Sequence, residues 1–292
     1  MIIVKIWEGL GNQLFQYAFA KSLQLESNEK VYLDFCSFGR DGGCEKPELF
    51  RNQRITQFRI SLYEYKRVND YYFFLNGNNR INRSIKYLSE HACFPYKYFQ
   101  EDTVEFKPEL LCIKGNYYVH GWFQNEKYFK KYEEIIRKEF KLKQKIKIGK
   151  ELKEVLACPD TVSIHIRRGD FKKGANVLDL KYYERAVEYI SHVIENPLLC
   201  IFSDEMEWVK SNMNFKGRCY YINENRALRD YEELIVMSHC KHNIIANSTF
   251  SWWGAWLNNN YNKIVIGPRK WFLDNRVRNV GINIMPDNWI KI

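Results

Sequence analysis

Thr161-Val162-Ser163-Ile164-His165-Ile166-Arg167-Arg168-Gly169-Asp170-Phe171 is the stretch whose reading decides the fold. Val162, Ile164 and Ile166 alternate with smaller or polar residues, as in a half-buried strand. The alternation breaks into Arg167, Arg168 and Asp170 where the strand should end. In open α/β sheets, ligands bind at that carboxyl edge. Two adjacent guanidiniums are costly to place there unless an anion receives them, and the planar donor fork of arginine matches paired phosphate oxygens. The segment reads as a diphosphate clamp. The plainer alternative is a surface turn in which Asp170 caps the next element and the arginines are solvated.

The residues that follow favour the clamp. Helix periodicity over 181–195 leads to a strand at 198–202, the polar run Ser203-Asp204-Glu205, a helix at 206–213 and a strand at 219–222. A helix at 228–238, a strand at 243–246, the polar turn Asn247-Ser248-Thr249-Phe250-Ser251, a helix at 252–257 and a strand at 263–266 complete the pattern. Strands alternating with helices across short loops predict a parallel sheet covered on both faces, a nucleotide-binding lobe.

Working back toward the amino terminus, Ile2 to Trp7 reads as a buried strand. It is followed by the glycine loop Glu8-Gly9-Leu10-Gly11-Asn12-Gln13 and a helix over 14–25. Gly9 and Gly11 permit close backbone approach to a ligand, and a helix start presents free N–H groups; a tight turn that merely needs glycine explains the loop as well. Leu14 leaves the dinucleotide fingerprint incomplete, so no NAD site is read here. A second strand is expected at 30–35, another at 117–123 and a helix over 126–140, while 37–114 is irregular and rich in Asn, Arg and Tyr. The basic run from Lys141 to Lys153 reads as a connector, which predicts one domain over 1–150 and a second over 151–292.

With 292 residues and 46% hydrophobic composition the chain can bury one large or two medium cores. The formal charge of +10 favours anionic partners such as nucleotides, anionic lipid surfaces or nucleic acid. The 8 cysteines form no Cys-x-x-Cys pair and no zinc-like spacing, which suits free thiols in a reducing compartment. No signal-peptide order and no membrane-spanning run is present, so a cytoplasmic protein is expected, with a peripheral seat on an anionic membrane as a further expectation. The basic residues are dispersed among acids and no nucleic-acid-binding motif is present, which argues against a nucleic-acid partner.

Three loops of the carboxyl-terminal half carry groups that could converge. Arg167 and Arg168 supply charge, Asp204 and Glu205 supply acceptors, and Ser248, Thr249 and Ser251 supply hydroxyls where a helix begins. A carboxylate suits the N1–H and exocyclic amine of guanine, while hydroxyls and helix-start amides suit phosphate oxygens. Asp204 and Ser248 are also ordinary helix caps, a reading that stands beside the functional one. Trp253 and Trp256 share a helix face and fit packing better than sugar stacking. His239 and His242 lack partners at metal spacing, and no Asp-x-Asp motif occurs, so cationic side chains rather than a metal are expected to neutralise a diphosphate.

Four motifs in order carry a family resemblance: Gly9-Leu10-Gly11-Asn12-Gln13-Leu14-Phe15-Gln16-Tyr17-Ala18, His165-Ile166-Arg167-Arg168-Gly169-Asp170, Phe202-Ser203-Asp204-Glu205 and Asn247-Ser248-Thr249-Phe250-Ser251-Trp252-Trp253-Gly254-Ala255-Trp256-Leu257. Together with Gly121-Trp122-Phe123-Gln124-Asn125-Glu126-Lys127-Tyr128-Phe129, they resemble the α-1,2-fucosyltransferases of glycosyltransferase family 11 nearly end to end. The resemblance implies an α/β GT-B-like fold of two Rossmann-like lobes with a cleft between them, an acceptor-side lobe over 1–150 and a GDP-sugar lobe over 151–292. It also implies GDP-fucose as donor, no metal or other cofactor, and transfer of fucose with inversion to the 2-hydroxyl of a terminal galactose.

By the same resemblance Arg167 holds the β-phosphate, with His165 and Arg168 beside it. Asp204 faces guanine, Thr249 and Ser251 face the phosphates, Glu205, Ser248 and Gly11 are further donor-binding residues, and the amino-terminal loop lies near the donor sugar with Asn12 beside the reacting carbon. Trp7-Glu8 stands where Gly-Gly is usual. The proton acceptor is left open among Glu8, Asp170 and His165. The rival readings are a transferase for another nucleotide sugar or acceptor position, and a binding protein without turnover.

Overall fold

Ile2, Ile3 and Val4 form an apolar β-branched run with no polar side to keep in water, and β1 (Ile2–Lys5) is buried at every position. It pairs in parallel with β2 (Val31–Asp34) on one side and β4 (Tyr117–His120) on the other. Outside β4 lies β3 (Lys97–Gln100), giving the order β2-β1-β4-β3. The computed structural model describes residues 1–38, 53–65, 96–101, 103, 105–174, 176–222, 224, 227–273 and 284–292. Most of the irregular stretch expected over 37–114 lies outside the described residues.

Between β1 and β2 runs α1 (Leu10–Ser27), opened by Gly9 and closed by Asn28 at φ 56, a left-handed stop that asparagine tolerates. Its inner face packs Phe19 flat on Phe123 at 3.9 Å and edge-on to Tyr128 at 5.2 Å, with Phe15 at 6.0 Å from Phe129. That packing overrides the helix expected over 126–140. Two 3-10 turns, Glu126–Tyr128 and Lys130–Tyr132, precede a short α2 (Glu133–Glu139), because Tyr128 and Phe129 both turn into the core and break the 3.6-residue repeat.

The described residues divide into two compact units, Met1–Lys143 and Gln144–Ile292. The division falls inside the basic run, which is not a plain connector: its second part forms α3 (Lys150–Ala157), where Leu152, Val155 and Leu156 join Ile146 and Ile148 against a core cluster.

In the second unit β5 (Thr161–Ile166), β6 (Leu198–Ser203), β7 (Arg218–Tyr221), β8 (His242–Ile244), β9 (Val265–Gly267) and β10 (Ile290–Lys291) form one sheet in the order β10-β9-β8-β5-β6-β7. Every ladder in both sheets is parallel, so the α/β expectation is met. Period-two alternation sorts the two faces of β6. Leu199 and Ile201 pack with α4 (Leu180–Val193) and α5 (Met206–Asn212), while Cys200 and Phe202 pack with α6 (Asp230–His239). The last helix, α7 (Thr249–Leu257), begins three residues earlier than its hydrophobic pattern suggests, which carries Thr249 and Ser251 into the helix. β3 and β10 are too short and mixed in sequence to be expected.

Candidate functional site

In each sheet the chain reverses its direction of strand addition beside the first strand laid down: between β5 and β8 in the second unit, between β1 and β4 in the first. The carboxyl ends of strands at such a reversal leave a crevice that takes ligands. The loops that follow β5, β6 and β8 leave at this edge of the second unit and carry the clamp residues.

Arg167 is about three-quarters buried. Its Nη2 donates to Asp170 Oδ1 at 2.6 Å and its Nη1 pairs with Asp204 Oδ2 at 3.0 Å. Asp204 also accepts the Arg168 amide on Oδ1 at 3.0 Å, so this one carboxylate holds both the backbone and the guanidinium of the loop. Arg168 lies over the Trp208 ring, 3.1 Å from its centroid, and its Nε meets Glu205 Oε2 at 3.2 Å. Lys172 pairs with the other oxygen of Glu205, and this pairing first, then Arg168, holds the Glu205 carboxyl below its usual range. Arg167, Arg168 and Lys172 thus face Asp170, Asp204 and Glu205, three cations against three carboxylates.

Asp204 and Glu205, expected at the base, both pair with the arginines. Arg168 is anchored by stacking on Trp208, and Arg167 is held by two carboxylates. A guanidinium carries five N–H donors, and the two ion pairs of Arg167 leave others to meet an incoming phosphate.

His165 lies on the sheet face opposite Ile164 and Ile166, with its ring 5.5 Å from that of Phe250 in the first turn of α7. Among the described residues its buried Nδ1 has no hydrogen-bond partner. Burial first, and the nearby Arg167 charge second, push its pKa down to about 3, so the ring is neutral at physiological pH.

Ser248 stands at the N-cap of α7 without using its hydroxyl as a cap, and Thr249 is half-buried beside it. The amides of the first turn therefore lack the side-chain acceptor usual at that position and can meet an anion. Ser251, expected at the phosphates, lies within the helix. It is wholly buried and its Oγ donates to the Ser248 carbonyl at 3.2 Å, because three residues along a helix brings it under the preceding turn.

The first unit gathers a second cluster at its own reversal. Asn12 donates through Nδ2 to Glu8 Oε2 at 2.5 Å and accepts from Gln124 Nε2 at 2.9 Å. Trp122 Nε1 donates to Glu8 Oε2 at 3.0 Å. Gly11 is buried inside the first turn of α1, so the close-approach position is Gly9, where no atom lies within 4 Å of the place a Cβ would occupy. Glu101 shapes the far side: its Oε2 accepts the Trp122 and Phe123 amides at 2.6 and 3.0 Å. A Cβ on Gly121 would lie 2.6 Å from Glu101, which fixes glycine there.

Sequence reading missed Glu101, Lys172 and Trp208. The first sits on an unexpected strand end and the other two look like ordinary surface and helix residues. Trp122 and Gln124 were visible only as parts of a motif.

The model of the family described as "Glycosyl transferase family 11" matches residues 1–292. The chain belongs to glycosyl transferase family 11. Among relatives, the O-antigen biosynthesis glycosyltransferase WbnK of Escherichia coli is 31% identical, covering 97% of this chain and 98% of that protein. An alpha-1,2-colitosyltransferase of Escherichia coli is 29% identical over 100% of this chain and 99% of that protein. A galactoside alpha-(1,2)-fucosyltransferase 1 of Homo sapiens is 28% identical over 56% of this chain and 47% of that protein. Solved structures similar to this chain include the fucosyltransferase NodZ from Bradyrhizobium, at 14% identity with a TM-score of 0.47 over 87% of this chain and 91% of that chain. A FUT1 mutant of Arabidopsis thaliana in complex with GDP has 10% identity and a TM-score of 0.49 over 90% of this chain and 69% of that chain.

Proposed function

We propose that this family 11 glycosyltransferase moves L-fucose from GDP-fucose to the 2-hydroxyl of a terminal galactose, with inversion and without a metal ion. The observation that carries the reading is Arg167, held on the carboxyl end of β5 at the sheet reversal, in the same edge as the uncapped first turn of α7. Breaking the bond from fucose to phosphate builds negative charge on GDP. A guanidinium and helix-start amides aimed at that charge stabilise the transition state more than the ground state.

The named activities of the fucosyl- and colitosyltransferase relatives support a deoxy sugar as the group moved and a 1,2 linkage. The test is to incubate the chain with GDP-fucose and galactose-terminated disaccharides, with and without EDTA, and to assign the new linkage by NMR. A β-configured or non-1,2 product, or loss of turnover in EDTA, refutes the corresponding part of the proposal. A second reading has an observation of its own. The colitosyltransferase relative spans the whole chain, so GDP-colitose belongs in the same assay as a competing donor.

A peripheral seat on an anionic membrane is part of the same reading. Supporting it, Lys145, Lys147, Lys150 and Lys153 are exposed while Ile146, Ile148 and Leu152 between them pack inward. Only a loose 3.7 Å contact with Glu154 engages Lys150 among the ion pairs of the described residues here. Compact ammonium charges without interleaved aromatics suit diffuse lipid charge better than base recognition. Among the described residues no helix is long and apolar enough to cross a membrane.

A further inference from the structure

Past the end of β1 the chain carries Trp7 and Glu8, and past the end of β4 it carries Gly121 and Trp122. Because β1 and β4 pair in parallel, both ends leave the first sheet at one edge, and residues 114 apart in the chain meet there. Trp122 Nε1 donates to Glu8 Oε2 at 3.0 Å, and Asn12 Nδ2 from the first turn of α1 donates to the same oxygen at 2.5 Å. Asn12 is held in turn by Gln124, whose Nε2 donates to its Oδ1 at 2.9 Å.

The two tryptophans stand differently. Trp7 is packed on several sides: Lys5 Nζ lies over its ring at 5.3 Å, His120 meets it edge-on at 4.9 Å, and its Nε1 donates to the Gly121 carbonyl at 3.3 Å. Trp122 leans on it, with centroids 5.2 Å apart and planes tilted by 43°, and remains half-exposed beside Glu8 and Asn12. Trp7 is the buttress and Trp122 the platform.

An indole face beside a fixed carboxylate and a fixed amide suits a neutral pyranose. The C–H face of the sugar packs on the aromatic surface. A carboxylate offers about four acceptor positions, so a sugar hydroxyl can join the two donors already there, and the same hydroxyl can accept the second N–H of the Asn12 amide. A phosphate, being anionic, is repelled by Glu8.

The backbone points to the same place. Among the described residues four that are not glycine hold a left-handed φ; two are asparagines, which tolerate it, and the other two are Glu8 at 65 and Phe123 at 51. Both lie in this cluster, and buried Glu101 fixes the second of them by accepting the Trp122 and Phe123 amides at 2.6 and 3.0 Å. Strain of this kind gathers at ligand clamps, where surrounding contacts hold it in place.

We propose that Glu8, Asn12 and Trp122 form a pyranose-binding subsite contained within the first unit, Trp122 carrying the C–H face of the sugar while Glu8 and Asn12 read one of its hydroxyls. The inference deepens the transfer reading and rests on it for the two sugars that can occupy the place, the galactose of the acceptor and the fucose of the donor.

Saturation-transfer NMR with methyl β-galactoside and methyl α-L-fucoside, in separate samples each saturated with GDP, tests it. The expected result is an upfield shift of the C–H protons of one sugar, the ring current of an indole beneath them; the galactoside assigns the place to the acceptor and the fucoside to the donor sugar. Trp122→Ala removes the shift. Glu8→Gln keeps an oxygen for Asn12 and Trp122 but drops the charge, and each variant weakens the Kd of that sugar by about tenfold or more. In turnover both raise KM for the substrate carrying that sugar, while the Kd for GDP stays at the wild-type value. The absence of an upfield shift with either sugar overturns the inference, as does a loss of GDP affinity in both variants with the shift intact. Wild-type KM values for donor and acceptor in both variants overturn it while leaving the transfer reading in place. Should Trp122→Ala fail to fold, wild-type sugar affinity in Glu8→Gln overturns it alone. A chain that shows the shift but forms no product with any galactoside keeps the subsite and overturns the transfer reading.

Discussion

Gly169 and Asp204 approach so closely that a Cβ at position 169 would lie 2.7 Å from Asp204 Oδ2, the oxygen that pairs with Arg167. Asp204 has no room to retreat, since its other oxygen holds the Arg168 amide. Gly169→Ala should therefore displace the carboxylate and loosen the guanidinium while leaving the sheet intact. Binding of GDP, measured by isothermal titration, should weaken by about tenfold or more, which is about 1.4 kcal/mol. The melting temperature should change little, because no core residue is touched.

The unlike surroundings of the two arginines predict unlike responses to substitution. Arg167→Ala removes the donor assigned to the developing charge and should lower kcat by about 100-fold to 1,000-fold. Arg168→Lys keeps the charge but loses the stack on Trp208 and the planar donor to Glu205, so it should act mainly on the shape of the loop and weaken GDP binding. Steady-state kinetics beside titration calorimetry separate the two. Equal losses of kcat in both variants would refute the division of labour.

Acid should expose His165. Its pKa is near 6.5 in the unfolded chain and is pushed down to about 3 by burial in the fold, so between those values the unfolded state binds a proton that the native state refuses. Stability from this group is complete above about pH 6.5 and declines as pH falls toward 3, by up to about 1.4 kcal/mol per pH unit. Urea unfolding as a function of pH should show a shallower acid-side slope for His165→Phe than for wild type. No limb in the pH–rate profile between pH 5 and 8 should vanish with this substitution.

Charge reversal tests the basic surface. Replacing Lys145, Lys147 and Lys153 together by Glu should abolish co-sedimentation with vesicles containing anionic lipid, each lysine near such a surface contributing about 1 kcal/mol. Turnover of a soluble disaccharide should be unaffected. Binding by the wild-type chain that is indifferent to anionic lipid content would remove the proposal.

Much of the fold was legible because it is written in local periodicity. Val162, Ile164 and Ile166 alternate as a strand must, and the helices at 180–193 and 206–212 repeat their apolar residues every three or four positions. Where local and tertiary demands disagreed, the sequence misled. The helix expected over 126–140 yields to Tyr128 and Phe129, whose rings are worth more buried against Phe15 and Phe19 than the hydrogen bonds of a regular helix.

The amino-acid sequence by itself determined the α/β class, the family and which loops carry charge, since each depends on residue type and spacing along the chain. Only the tertiary structure decided what those charges do. Asp204 and Glu205 turn to the arginines, Ser251 spends its hydroxyl inside its own helix, and Glu8 is aimed by Asn12 and a distant Trp122. Each of these outcomes follows from which groups share a buried neighbourhood, and hydrogen-bond donors and acceptors pair by proximity in space, whatever their separation in the chain.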